Sequence, residues 1–131
     1  MKLNPDCIRE VLTYIEENQT YVKGTLQRLH DTDICNEITK FSRSDVLYSI
    51  KQLSNSNMLD SHIIKTAADS YIIYIFDITP SGHEFLANIR TDNVWNQTKK
   101  IANKVGSFSL DVLTKISVSI VTELIKQNIM T

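Results

Sequence analysis

The first apolar rhythm along the chain is helical. Ile8, Val11, Leu12 and Ile15 recur three and four residues apart, while Arg9, Glu10, Glu16 and Glu17 fall on the opposite side. Asn4 ahead of Pro5 is a start signal, because an Asn side chain accepts from the free amides of a first turn and Pro suits the first helical position. The pattern predicts a helix over Pro5–Asn18. From 19 to 41 the rhythm weakens: residues 25–29 suit a short strand, and Asp31, Thr32 and Asp33 can cap a helical turn through Ile34, Glu37 and Ile38.

The next helix is better marked. Ser42, Arg43, Ser44 and Asp45 form a capping-box pattern, with Phe41 and Val46 as its hydrophobic staple, and Val46, Leu47, Ile50 and Leu53 line one face. This predicts a helix over 42–56, stopped by the polar run Ser54-Asn55-Ser56-Asn57. Strands over 58–65 and 71–78 follow, joined as a β-hairpin by 66–70. In the second strand Ile72, Tyr74, Phe76 and Ile78 alternate with Tyr71, Ile73 and Ile75; neither face is polar, so both are expected to be covered. Thr79-Pro80 caps a helix over 81–90 with Phe85, Leu86 and Ile89 inward. Val94, Trp95, Thr98, Ile101, Ala102 and Val105 mark another that ends at Gly106. The last helix starts near Ser109 and carries a wide apolar stripe of Leu110, Val112, Leu113, Ile116, Ile120, Val121, Leu124 and Ile125.

The expected fold is α+β, mostly α. A helix, an ill-defined strand and turn, a capped helix feeding a hairpin, then a Thr-Pro-capped helix is the element order of a winged helix-turn-helix, here with additional C-terminal helices. The winged-helix domain spans 1–90, and a helical extension over 91–131 packs on it or forms a dimer interface. Helix 42–56 is then the groove-reading helix and 66–70 the wing.

The opening run from Met1 through Asn18, the run Ile78-Thr79-Pro80-Ser81-Gly82-His83-Glu84-Phe85-Leu86-Ala87-Asn88-Ile89-Arg90 with Trp95, and a closing Gly-Ser-Phe-Ser-Leu-Asp-Val-Leu stretch resemble a family of small winged-helix-like proteins of unknown function. Such proteins are common in bacterial phages and prophages. The most specific part is Gly-His-x-Phe-Leu-x-x-Ile-Arg, and region 19–41 matches poorly. The resemblance implies a winged-helix fold in a phage-related setting and supplies no activity.

Composition narrows the function classes. With 42% hydrophobic and 22% charged residues in 131, the chain has the makeup of a globular protein. A net charge of -1 removes the simplest argument for nucleic-acid binding, so any DNA contact must come from local charge. No apolar stretch is long enough for a membrane span and the start lacks the core of a signal peptide, which predicts a cytoplasmic protein without membrane contact. Cys7 and Cys35 are too isolated for a disulfide framework or zinc site and read as small buried hydrophobes. His30, His62 and His83 are scattered, and no nucleophile motif or phosphate-binding Gly loop occurs; no catalytic residue, metal or cofactor is expected, and the protein reads as non-enzymatic. Gly82 is expected where a bulkier residue would press on a neighbouring element. Trp95 is expected in the core and His83 on the surface.

On helix 42–56 the solvent side is expected to offer Arg43, Ser44, Tyr48, Ser49, Lys51 and Gln52. Arg and Gln read guanine and adenine edges bidentately, whereas Ser, Tyr and Lys commonly hold phosphates. Arg43 and Lys51 against Asp45 leave little net charge there, and the wing offers only His62 and Lys65 beside an acidic Asp69. Lys99, Lys100 and Lys104 are the basic cluster of the second half and suit phosphates or an acidic partner. Leu113, Ile116, Ile120 and Leu124 are the candidate homodimer interface, unless the last helix instead covers the second strand. Two functions fit: a DNA-binding regulator that contacts duplex DNA, or an accessory protein that binds a host or phage protein through the same scaffold.

Overall fold

A computed structural model describes residues 1–130. The protein is a mixed α+β fold, mostly helical, in the order α1 (Pro5–Asn18), β1 (Tyr21–Val22), β2 (Thr25–Leu26), β3 (Leu29–His30), α2 (Asp31–Glu37), α3 (Arg43–Asn55), β4 (Leu59–Lys65), β5 (Tyr71–Ile78), α4 (Pro80–Ile89), α5 (Asp92–Val105) and α6 (Leu110–Ile129). Two compact units divide the chain, Met1–His83 and a second that begins at Glu84.

Local chemistry explains most boundaries. Asn4 Oδ1 accepts from the Cys7 amide, Ser42 Oγ from that of Asp45, Thr91 Oγ1 from that of Val94 and Ser109 Oγ from that of Val112, so four helices begin on capping side chains. Gly106 ends α5 in the left-handed region, at φ 84°, which costs a glycine nothing. Thr79 begins α4: its hydroxyl accepts from the Gly82 amide and donates to Asn57 O, and its amide donates to Met58 O. That clamp holds Gly82 so close to the Met58 carbonyl that an added Cβ would overlap it and lie 2.7 Å from Ile78 Cγ2, so the close approach is the reason for glycine there.

In the first unit, Cys7, Ile8, Val11, Leu12 and Ile15 of α1 are buried, with Ile34 and Cys35 of α2 and Val46, Ile50 and Leu53 of α3. The sheet adds Leu29, Leu59, Ile75 and Ile78. It is antiparallel in the order β3-β5-β4, while β1 and β2 form a separate hairpin turned by Lys23 and Gly24, both with positive φ. In the second unit the buried side chains are those of Phe85, Leu86, Ile89, Val94, Trp95, Thr98, Ala102, Leu110, Leu113 and Ser117. No helix among the described residues is long and apolar enough to cross a membrane.

Four expectations are corrected. The stretch 25–29 is not one strand: Thr25–Leu26 pairs with β1, whereas Leu29–His30 pairs with β5. The strict alternation of β5 breaks at Phe76. Leu59 faces Ile78 and Asp60 faces Asp77, but Ser61 faces Ile75, so Phe76 is an extra, unpaired residue. A bulge of this kind reverses the facing of everything beyond it, which is why Ile75 and Ile78, three apart, are both buried while Phe76 and Asp77 are exposed. Nor are both faces of the strand covered, because Tyr71 stays 63% exposed and Phe76 38%. The fourth, Ser49, is buried on α3.

Candidate nucleic-acid interface

Helix α3 presents its buried residues Val46, Ser49, Ile50 and Leu53 along one stripe. With about 3.6 residues per turn, the opposite stripe contains Ser44, Tyr48, Lys51 and Asn55. Ser44, Lys51 and Asn55 are exposed and Tyr48 is half-buried. Arg43 is exposed in the first turn on one flank, and Gln52 is half-buried on the other, half a turn of the helix away. The helix therefore brings Ser44, Tyr48 and Lys51 together and separates Arg43 from Gln52. Asn55, absent from the expected set, completes the outward stripe; its i+4 and i+7 spacing from Lys51 and Tyr48 was the available signal.

Ser49 was expected on that solvent side and is instead buried, 1% exposed. Its hydroxyl lacks a well-directed hydrogen-bond partner and lies against the Cys7 thiol of α1. Burial raises the pKa of Cys7, and the Ser49 hydroxyl partly offsets that rise. Burial also raises the pKa of Cys35, against the pull of the Arg43 guanidinium; the Cys35 thiol reaches Arg43 O at 4.0 Å, tying α2 to the start of α3.

The β4–β5 hairpin brings little cationic charge. Lys65 pairs with Asp69 at 2.9 Å across the loop, and both are exposed, so the loop tip is electrically neutral. Ile63 and Ile64 stay exposed on β4, as does Tyr71 on β5. At the base of the hairpin an open groove of about 410 Å³ includes Ser54, Asn57, Asp60 and Asp77. Its two carboxylates sit directly opposite one another across the strands and would repel a phosphate there.

The remaining expected residues lie in the second unit. Lys99 is half-buried with its ammonium 5.5 Å from the centre of the Trp95 ring, while Lys100 and Lys104 are exposed on a shared flank of α5. On α6, Leu113 is wholly buried within the chain and Ile116, Ile120 and Leu124 are half-buried. The large apolar side chains that α6 leaves exposed are Val118, Ile125 and Ile129.

A mixed, mostly helical α+β protein with one uncovered helix face ahead of an apolar hairpin is the class these elements define. The chain belongs to the family described as "Hypothetical protein (DUF2513)", whose model matches residues 2–109. It is similar to an "Uncharacterized protein" of Haemophilus influenzae (strain ATCC 51907 / DSM 11121 / KW20 / Rd), 29% identical over 126 residues that cover 95% of this chain and 99% of the relative. No solved structure matches the chain.

Proposed function

We propose that the protein is a non-enzymatic winged-helix regulator of the phage or prophage type that binds duplex DNA through α3 and acts as a homodimer. The observation that carries this reading is topological. Helix α1, strand β3, helices α2 and α3, then the β4–β5 hairpin, with sheet order β3-β5-β4, supports a winged helix-turn-helix reading, as does the exposed side of α3. On that side Lys51 and Ser44 would meet phosphates, with Tyr48 and Asn55 beside them, and Arg43 stands at the helix start, where free amides also favour an anion.

The charge sets the strength. Two cations on α3 imply about two released counterions, so affinity falls roughly tenfold for a fourfold rise in salt, a shallow dependence. Fluorescence anisotropy with a mixed-sequence duplex at 50 and 200 mM salt tests this. The expected result is micromolar binding at the lower salt, a drop of about tenfold at the higher, and a further loss of tenfold or more in the Arg43→Ala plus Lys51→Ala variant. Absence of binding at low salt rejects the reading.

A second reading has its own observation. Exposed Ile63, Ile64 and Tyr71 on a hairpin with a neutral tip suit a protein partner better than a minor groove. In that reading the same scaffold serves an accessory protein that binds a host or phage protein.

A further inference from the structure

Tyr74 sits in the central strand of the three-stranded sheet, and its cross-strand neighbours are His30 on β3 and His62 on β4. Residues directly opposite in antiparallel strands project from the same face, so the three form a row across the sheet. The His30 and Tyr74 rings meet edge-on with centroids 4.4 Å apart. Arg28 lays its guanidinium 5.0 Å from the centre of the Tyr74 ring. Among the described residues, no carboxylate pairs with Arg28, His30 or His62.

Arg28 also belongs to a groove of about 420 Å³ that it lines with Val22, Thr25, Leu26, Gln27 and Phe76. The residues lining the groove thus carry aliphatic and aromatic side chains with a hydroxyl, a carboxamide and one guanidinium among them, and Arg28 is common to the groove and to the row, through its contact with Tyr74. The size of the groove lies within the range of roughly 300–1,000 Å³ common for small-molecule sites.

We propose that this groove and the adjoining row are a binding site for a nucleoside monophosphate. The base lies against Phe76, the Gln27 carboxamide pairs with the base edge, and the phosphate is held by Arg28 with the imidazoles of His30 and His62. Each part answers one chemical group. A guanidinium fork matches phosphate oxygens, an aromatic ring stacks on any base, and a carboxamide both donates and accepts, as a base edge requires. A bare phosphate leaves the groove unused, and an aliphatic acid leaves Gln27 and Thr25 without partners. The volume suits one nucleotide rather than a strand. This site stands apart from α3 and does not depend on duplex binding there.

The test titrates the full chain with AMP, GMP, CMP and UMP, followed by amide chemical shifts and calorimetry. Inorganic phosphate, the four nucleosides, octanoate and a single-stranded hexanucleotide serve as comparisons. At least one monophosphate is expected to saturate with Kd below about 1 mM, shifting amides in 22–30 and 74–76, with phosphate, nucleoside and octanoate each weaker by about tenfold or more. Arg28→Ala and Phe76→Ala each weaken binding by about tenfold, and the Arg43→Ala plus Lys51→Ala variant leaves it unchanged. Should Phe76→Ala lose its fold by circular dichroism, Gln27→Ala, at an exposed position, takes its place and is expected to reduce discrimination among the four bases. The proposal is overturned if no monophosphate saturates by about 10 mM, if Arg28→Ala binds as the parent does, or if octanoate binds as tightly. It is equally overturned if the hexanucleotide binds more than about a hundredfold tighter than its monomer, since the ligand is then a strand.

Discussion

Ser49 shows how one small side chain decides which face of a helix is available. Val46, Ser49, Ile50 and Leu53 share a stripe by spacing alone, so the position was legible as inward; its polarity argued the other way. The Ser49 hydroxyl meets the Cys7 thiol where both are buried, which only the packed pair of helices reveals. The same burial has a pH consequence. Cys7 and Cys35 both have pKa values raised chiefly by desolvation from an ordinary value of 9.0, and burial raises Tyr14 as well. Above that ordinary value the unfolded chain releases protons that the folded chain still holds, so stability is complete below it and is lost as pH rises further. The urea midpoint is expected to be flat from about pH 7 to 8 and to fall above about pH 9, with a shallower fall in Cys7→Ala. A midpoint that stays level through this range contradicts buried, neutral thiols.

Among the elements, β5 departs most from its sequence pattern. Strict alternation assigns Ile72, Tyr74, Phe76 and Ile78 to one face, but the bulge at Phe76 shifts the register, and no residue type at that point announces it. The bulge is supported from outside the sheet: the Gln19 side chain donates to Phe76 O at 2.7 Å and to Gln27 O at 2.8 Å, joining the end of α1 to β5 and to the segment after β2. Gln19 stands in the region where the sequence was least readable, because its partners lie up to 57 positions away. Removing both hydrogen bonds in Gln19→Ala is expected to cost about 1–2 kcal/mol in urea unfolding and to speed amide exchange in 21–28. Unchanged exchange in that segment means the carboxamide does not support it. The β1–β2 hairpin did have a local signature, since Lys23-Gly24 is a two-residue turn that needs positive φ at both positions.

For the whole molecule, the question is what meets the apolar surface left on α6. Leu113, Ile116, Ile120 and Leu124 fall on the covered side to differing degrees, whereas Ile125 is 52% and Ile129 77% exposed. Val118, Ile125 and Ile129 lie within roughly 40° of one another around the helix, at about 100° per residue, and make a narrow seam. In the proposed homodimer this seam faces its copy. Light scattering over a dilution series is expected to give a dimer mass at high concentration that falls toward the monomer, and Ile125→Asp is expected to shift the mass to the monomer throughout. A monomer mass at all concentrations rejects the dimer.

The sequence by itself determined where most helices and the hairpin begin and end. Caps, turn glycines and apolar spacing act over a few residues, so Asn4, Ser42, Thr91, Ser109 and Gly106 declare their roles locally. It also determined the α+β, mostly helical class and an outward face for α3. Only the tertiary structure decided that Ser49 turns inward, that Phe76 bulges, that 25–30 is shared between two sheets, and that Arg28 and His30 meet Tyr74 with His62 opposite it on β4. Those outcomes depend on partners distant along the chain, and distance in sequence carries no local signal of contact in space.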